Sequence, residues 1–258
     1  MIEIVFFGSD QYSQIVLEAL QKNQEIEIIK VIKDKNKLQG LEKADFRPDL
    51  GVVASFGALI PQEVINWPKK GLLNLHPSLL PKYRGPTPVP TVILNGEKET
   101  GLTIIKVDEQ IDHGPVVAQF KEAIRKEDTS ESLLNRLFVI GSDVLITILP
   151  SFIEDRIEIK KQEHIKATST KKLTREDGKI DWQKPTDYQE KFVRAMFPWP
   201  GAWAGVKEGN QVKRLKILKA HLENNQLVLD LVQLEGKKTV TWKQFREGYP
   251  EAKIIKYQ

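Results

Sequence analysis

Residues 1–32, MIEIVFFGSDQYSQIVLEALQKNQEIEIIKVI, carry the pattern that decides the fold. IEIVFFG (2–8) is a short apolar run closed by a glycine, as expected of a strand buried on both faces. YSQIVLEALQK (12–22) then sets Ile15, Val16, Leu17 and Leu20 at helical spacing, and IEIIKVI (26–32) reads as a second strand. A strand, a helix and a strand in this order begin a parallel sheet. The opening run contains Glu3, has no basic leader and passes directly into Gly8, so it is expected to be a first strand rather than a signal peptide.

Further along, LGVVAS (50–55), GLLNLH (71–76), GLTIIKV (101–107) and PVVAQF (115–120) read as strands, and PVPTVILNG (88–96) as a helical stretch. A long helix is expected through SLLNRLFVIGSDVLITIL (132–149), capped by Asp128 with Glu131 three residues on and ending towards Pro150. Residues 160–182, KKQEHIKATSTKKLTREDGKIDW, are polar, Lys-rich and without apolar periodicity, which is the look of a linker. A short helix should start at Thr186, with Gln189 completing a second capping box. LKILKAHL (215–222), NQLVLDLVQL (225–234) and KKTVTWKQF (237–245) alternate like the short antiparallel strands of a small barrel. The expected class is therefore α/β, a doubly wound and mostly parallel sheet with a small C-terminal β-barrel. The expected divisions are a catalytic domain over 1–159, a basic linker with a short helix over 160–197, and a barrel over 198–258. Only sixteen residues, KDKNKLQGLEKADFRP (33–48), join the second strand to the third. That leaves room for one short helix and none for an extra strand with two helices.

Among 258 residues there is no cysteine, which removes disulfides, thiolate zinc sites and cysteine nucleophiles together and fits a reducing, cytoplasmic compartment. No apolar run reaches the roughly 18 residues of a membrane span, so a soluble protein is expected. The net charge of +4 is uneven: residues 1–159 hold 18 Lys and Arg against 23 Asp and Glu, while residues 160–258 hold 21 against 12. A basic C-terminal half is the footprint of a region that meets a polyanion; a solvated Lys-rich surface accounts for it equally well.

Gly8 lacks the second and third glycines of a dinucleotide fingerprint, so NAD or FAD is not expected, and neither a Walker loop nor a metal-ligand spacing is present. LLNLHPS (72–78) is different. Apolar residues at 73 and 75 alternate with Asn74 and His76, which places the two polar side chains on one face of a strand end. An amide donor beside an imidazole can stabilise a developing oxyanion and move a proton. Taken alone, the pair reads as two satisfied polar residues. The neighbourhood changes that reading: a constrained loop, SLLPKYRGPTP (78–88), follows at once, and VDEQIDHG (107–114) offers Asp112 as a third partner. A carboxylate there would raise the pKa of His76, fix its tautomer, and help to take a proton from an attacking amine.

LLNLHPSLLPKYRGPTP (72–88), LNGEKETGLTIIKVDEQIDHGPVVAQ (94–119), and TKKLTREDGKIDW (170–182) with FPWPGAW (197–203) and LEGKKTVTWKQFREGYP (234–250) closely resemble the methionyl-tRNA formyltransferase family. The resemblance covers nearly the whole chain. It implies a Rossmann-like formyltransferase fold with an OB-like C-terminal barrel, and transfer of a formyl group from 10-formyltetrahydrofolate, without a metal, to the α-amine of methionyl initiator tRNA. By motif match, Asn74 and His76 would stabilise the tetrahedral oxyanion while Asp112 orients His76 and assists deprotonation. Ser78, Leu79, Leu80 and Pro81 match the loop that holds the folate. Phe56, Gly57, Ala58, Leu59 and Ile60 match the main-chain edge that reads the pterin. For Leu59, Leu79 and Leu80 ordinary core packing is the competing account.

Lys82, Tyr83 and Arg84 suit an anionic partner, either the folate tail or acceptor-stem phosphates. With Lys171, Lys172, Lys213, Arg214, Lys237 and Lys238, Lys82 and Arg84 are the candidate tRNA contacts. His113 stands where the family more often has Thr and reads as a loop residue. The short 33–48 stretch, with Lys33, Lys35, Lys37, Lys43 and Arg47, replaces a longer basic segment usual in the family, which bears on initiator selectivity and leaves formyl transfer untouched. A monomer is expected, with no membrane partner. Two other readings stay open: formylation of a small amine such as an amino sugar nucleotide, and an RNA-binding relative that has lost the reaction.

Overall fold

The computed structural model of the protein describes residues 1–209 and 211–256. Residues 1–88, 98–123 and 133–171 form one compact unit, and residues 89–97, 124–132 and those from 172 onward form a second. Along the chain run β1 (Ile2–Phe7), α1 (Gln11–Gln21), β2 (Ile26–Ile32), β3 (Leu50–Ala54), α2 (Gln62–Ile65), β4 (Leu72–His76), α3 (Pro88–Leu94), β5 (Glu99–Lys106), β6 (Val116–Ala123) and α4 (Ser130–Ile153). After them come α5 (Thr186–Met196), β7 (Ala202–Glu208), β8 (Gln211–Glu223), β9 (Gln226–Leu234), β10 (Thr239–Thr241), α6 (Trp242–Gly248) and β11 (Lys253–Ile254).

The first unit is built on a six-stranded sheet of order β2-β1-β3-β4-β5-β6. β1 to β4 are parallel, and β5 runs antiparallel to both β4 and β6, so the sheet is mixed and mostly parallel. Ile4, Val5, Phe6 and Phe7 are buried, and so is every residue of β3, as continuous apolar runs require. At the start of α1 the Asp10 carboxylate accepts the N–H groups of Tyr12 and Ser13, while the Ser13 hydroxyl accepts the Asp10 N–H. Between β2 and β3 there is no α-helix. Single 3-10 turns at Lys35–Lys37 and Leu41–Lys43 carry Leu38 and Leu41 into a cluster with Val64, Ile65 and Trp67. Two buried leucines thus anchor a connection too short for more.

α4 corrects two expectations. It starts after Thr129, whose hydroxyl accepts the Ser132 N–H while Ser132 Oγ accepts the Thr129 N–H. The expected cap, Asp128, instead takes the Arg125 N–H and the Ser132 hydroxyl. The two short hydroxyl side chains reach the backbone where a longer Glu131 was expected to. At 24 residues and a mean hydropathy of 1.7 over an 18-residue window, α4 is also long and apolar enough to cross a membrane by length and composition. Here Leu133, Leu137, Leu145 and Leu149 form a buried stripe, and a Cβ added at Gly141 would lie 2.8 Å from Leu102 of β5. That close approach is the packing of a core helix.

In the second unit β7 to β11 form a five-stranded antiparallel sheet of order β10-β9-β8-β7-β11. β8 has register breaks around Lys219, as at a β-bulge. The expected third strand over 237–245 is cut short: only Thr239–Thr241 is extended, and a Thr241–Gln244 capping box opens α6. The capping box expected at Thr186 does not form. Thr186 is already the first helical residue, its hydroxyl donates to Asn225 O, and the buried Gln189 amide donates back to Trp182 O and Lys184 O.

Candidate active site

The period of β4 determines which side chains arrive together. Leu73 and Leu75 are buried in the sheet, so Asn74 and His76 share the opposite face. Asp112 meets them from the loop after β5, in a left-handed conformation (φ 49°) that a short acidic side chain tolerates. Asn74 Nδ2 donates to Asp112 Oδ1 at 3.3 Å, and His76 Nδ1 lies 3.4 Å from Asp112 Oδ2. Asp112 Oδ2 also accepts the Gly85 N–H at 2.7 Å. All three expected catalytic side chains are thus brought into one cluster.

The tautomer of His76 is determined elsewhere than expected. Its Nε2 donates to the Tyr83 carbonyl at 2.9 Å, and a carbonyl can only accept. Nε2 therefore carries a hydrogen, and Nδ1 is turned towards the Asp112 carboxylate. A proton placed between Nδ1 and Oδ2 makes a charge-assisted hydrogen bond. The ring is 4% exposed, which keeps water from weakening that effect.

Four hydrogen bonds centred on Thr103 hold the loop after β4. The Thr103 hydroxyl donates to Ser78 O and accepts the Leu80 N–H and Gln119 Nε2, and Gln119 also donates to Leu80 O. Ser78, fully buried, donates to Lys82 O, and a cis peptide joins Leu80 to Pro81. Leu80 is a core residue, and Leu79 lies against Gly101, where a Cβ would be 2.5 Å from its Cδ2. After β3, the Phe56 ring packs edge-on against Phe7, 5.9 Å between centroids, while Gly57 (φ 66°) and Leu59 (73% exposed) face outward. The Ser9 hydroxyl lies 3.3 Å from both Ser55 O and Phe56 O. Residues 8–9, 55–60 and 76–81 therefore gather beyond the carboxyl ends of β1, β3 and β4, where open α/β sheets place their ligands. A cleft of about 450 Å³ between Arg47, Lys69, Lys70 and Lys106 lies where β4 begins, at the other end of that strand from His76.

Sequence reasoning passed over one component. The stretch read as a linker is laced onto the loop after β4: Thr168 takes the N–H groups of Tyr83 and Arg84, Thr170 N–H donates to Arg84 O, and Thr87 Oγ1 donates to Lys171 O. Arg84 is held there too, donating to Gln162 Oε1 and to His164 Nδ1. A polar run without periodicity contains no signal for such pairing; Thr168 and Thr170, two β-branched residues two apart, were the only hint. His113 pairs with Asp108 at 2.6 Å and stacks on His164, 4.1 Å between centroids. That partly desolvated stack, with the His113 and Arg84 charges, holds the His164 pKa below its usual 6.5.

The remaining cationic candidates differ in their surroundings. Lys82, Lys171, Lys172, Lys237 and Lys238 are exposed. In the second unit, Lys213 pairs with Glu208, a hydrogen bond that raises its pKa, and the Arg214 guanidinium lies 3.9 Å over the Trp203 ring while bonding Glu176. Among the described residues, no cluster of three or more His, Asp or Glu side chains could hold a metal ion.

Residues 43–149 match the formyl transferase family, and residues 172–227 match the formyl transferase C-terminal domain. A methionyl-tRNA formyltransferase of Roseiflexus castenholzii is 32% identical over 96% of this chain and 96% of its own length. One of Chloroflexus aurantiacus is 44% identical over 67% of this chain and 55% of its own length. Among solved structures, methionyl-tRNA formyltransferase from Clostridium thermocellum superposes with a TM-score of 0.72 at 21% identity, over 91% of this chain and 99% of that one. HypX from Aquifex aeolicus in complex with tetrahydrofolic acid gives 0.76 at 19%, over 96% of this chain and 47% of that one. An N-formyltransferase from Helicobacter canadensis in complex with folinic acid and dTDP-3-aminofucose gives 0.69 at 22%, over 93% of this chain and 99% of that one. These structural likenesses are likenesses of fold.

Proposed function

The chain belongs to the methionyl-tRNA formyltransferase family, and from that premise we propose how its residues carry a formyl group to the α-amine of methionyl initiator tRNA. The co-substrate is folate-derived, and we take it to be 10-formyltetrahydrofolate, which supplies the formyl carbon and leaves as tetrahydrofolate. The exposed Gly57 and the outward Leu59, with the half-buried Ala58 between them, suit a flat heterocycle, because backbone amides read its donor and acceptor edge. Ser78 and Leu80, locked by Thr103, keep the neighbouring loop in shape with Leu79 and Pro81, and Phe56 and Ile60 support the edge from within the core.

Asn74 Nδ2 and the His76 ring stabilise the negative charge that grows on the formyl oxygen as the amine adds, the His76 Nε2–H being shared between the Tyr83 carbonyl and the oxyanion. Asp112 receives the amine proton at Oδ2, next to His76 Nδ1, and gives it up to N10 as the carbon–N10 bond breaks and tetrahydrofolate leaves. The observation that carries this reading is the Asp112 carboxylate lying 3.3 Å from Asn74 and 3.4 Å from His76.

The division of labour is part of the same proposal. Residues 1–159 do the chemistry, 160–197 link while their first part straps the loop after β4, and 198–258, read as an OB-like barrel on the strength of five antiparallel strands and the register breaks of β8, help to hold the tRNA. Binding is mainly through phosphates, at the exposed Lys82, Lys171, Lys172, Lys237 and Lys238, with the half-buried Arg84, Lys213 and Arg214 in supporting roles. The working form is a cytoplasmic monomer. The test offers the protein 10-formyltetrahydrofolate with charged initiator tRNA, charged elongator methionine tRNA or dTDP-amino sugars, and follows formyl transfer. Preference for the initiator is expected. Transfer to the sugar alone would replace this reading by the small-amine one, and no transfer to any amine would leave an RNA-binding relative.

A further inference from the structure

Gln162 belongs to no helix or strand, lies in a run of charged residues, and is nevertheless only 6% exposed. Its carboxamide is saturated. Oε1 accepts from Arg84 Nε at 3.2 Å and Nη2 at 2.6 Å, and Nε2 donates to Asp112 O at 2.9 Å and Gly114 O at 2.7 Å. Two donors and two acceptor positions are all that a glutamine has. One end of the amide therefore holds the main chain on either side of His113, and the other holds the loop whose Tyr83 carbonyl and Gly85 N–H contact His76 and Asp112.

We propose that Gln162 is a positioning residue for formyl transfer: it pins the Asp112 main chain in its left-handed conformation and thereby sets the carboxylate against Asn74 and His76. This rests on the reading of Asp112 as a catalytic residue. The physical requirement is plain. Asn74 and His76 approach the carboxylate at 3.3 and 3.4 Å, already long for hydrogen bonds, so a shift of the loop by a few tenths of an ångström decides whether they engage it. Asp112 itself has no helix or strand to hold it; the buried amide takes that part, reaching it from 50 residues further along the chain. The shorter amide of an asparagine would not span the gap, and a carboxylate in its place would turn an acceptor oxygen towards two carbonyls, so the amide of glutamine is the group that fits.

The test is a double-mutant cycle in steady-state formyl transfer, with 10-formyltetrahydrofolate and charged initiator tRNA. The variants are Gln162→Met, which keeps length and removes all four hydrogen bonds, and Gln162→Glu, which keeps the acceptors facing Arg84 and loses both donors to the Asp112 loop. Each is made alone and with Asp112→Asn. Both single variants are expected to lower kcat about 10- to 100-fold with KM for either substrate within about threefold. In the Asp112→Asn background the same changes should cost less than about twofold, because the geometry they protect no longer matters. Equal losses in both backgrounds, unchanged kcat, or a loss confined to KM would each overturn the proposal. Should Gln162→Met fail to fold by its thermal melt, Gln162→Glu decides alone. Wild-type kcat in Asp112→Asn itself would instead remove the catalytic reading of Asp112, a result distinct from a failure at Gln162.

Discussion

At the residue scale, His76 is defined by two contacts of different character: a carbonyl that fixes one nitrogen as a donor and a carboxylate that faces the other. On the proposed mechanism, removing the ring takes away the group that answers the charge developing on the formyl oxygen. His76→Ala is therefore expected to lower kcat by ~10² or more while tRNA affinity stays within a few fold. Parallel filter-binding and single-turnover measurements check this; a matching loss of binding would give the histidine a structural part instead. That Asn74 and His76 share a face was legible in the alternation of LLNLH. The Tyr83 carbonyl was not, because a backbone acceptor has no residue type by which a sequence could announce it.

At the element scale, the stretch 160–171 works as a strap rather than a spacer, since its threonines pair with the loop after β4 through both backbone and hydroxyl groups. Its pH response follows from His164. Desolvation in the stack, then the His113 and Arg84 charges, lower its folded pKa below 6.5, so its contribution to stability is complete above pH 6.5 and is lost as the pH falls through the folded value. Protonation would also cost it the acceptor that Arg84 uses. Wild type should lose melting temperature relative to His164→Gln as the pH is lowered below 6.5, and an imidazole NMR titration should put the midpoint on the acid side. A melting difference that stays constant with pH would remove His164 from this role. Other elements were misjudged for local reasons: α4 starts after Thr129 because two hydroxyls cap it, and Thr241 opens a helix where alternation suggested that a strand continued.

For the whole molecule, the positive charge concentrated after residue 159 is, on the proposed function, what steers the tRNA. Its parts are not equivalent. Arg214 is stacked and paired, Lys213 is paired, and Lys172, Lys237 and Lys238 are exposed. For every phosphate that is no longer neutralised, the slope of log affinity against log salt should fall by about 0.7 to 0.9. Changing Lys172, Lys237 and Lys238 to Gln together is thus expected to flatten that slope by about 2, whereas Lys213→Gln with Arg214→Gln should change it by less than about 1. Titrations of tRNA binding across a salt series measure both. An unchanged slope in the triple variant would mean that the charge asymmetry serves solubility and not recognition.

What the sequence alone determined is what depends on the period of the chain: the β-α-β opening, the six strands of the first sheet, and the common face of Asn74 and His76. In a strand, side-chain direction follows position, so such facts are local. Only the tertiary structure decided that Asp112 closes on that face, that Tyr83 holds the imidazole by its carbonyl, and that Gln162 and Thr170 reach loops 50 and 86 residues away. Those contacts depend on where a folded backbone brings unsatisfied donors and acceptors together, and a polar run outside any regular element has no period from which to read it.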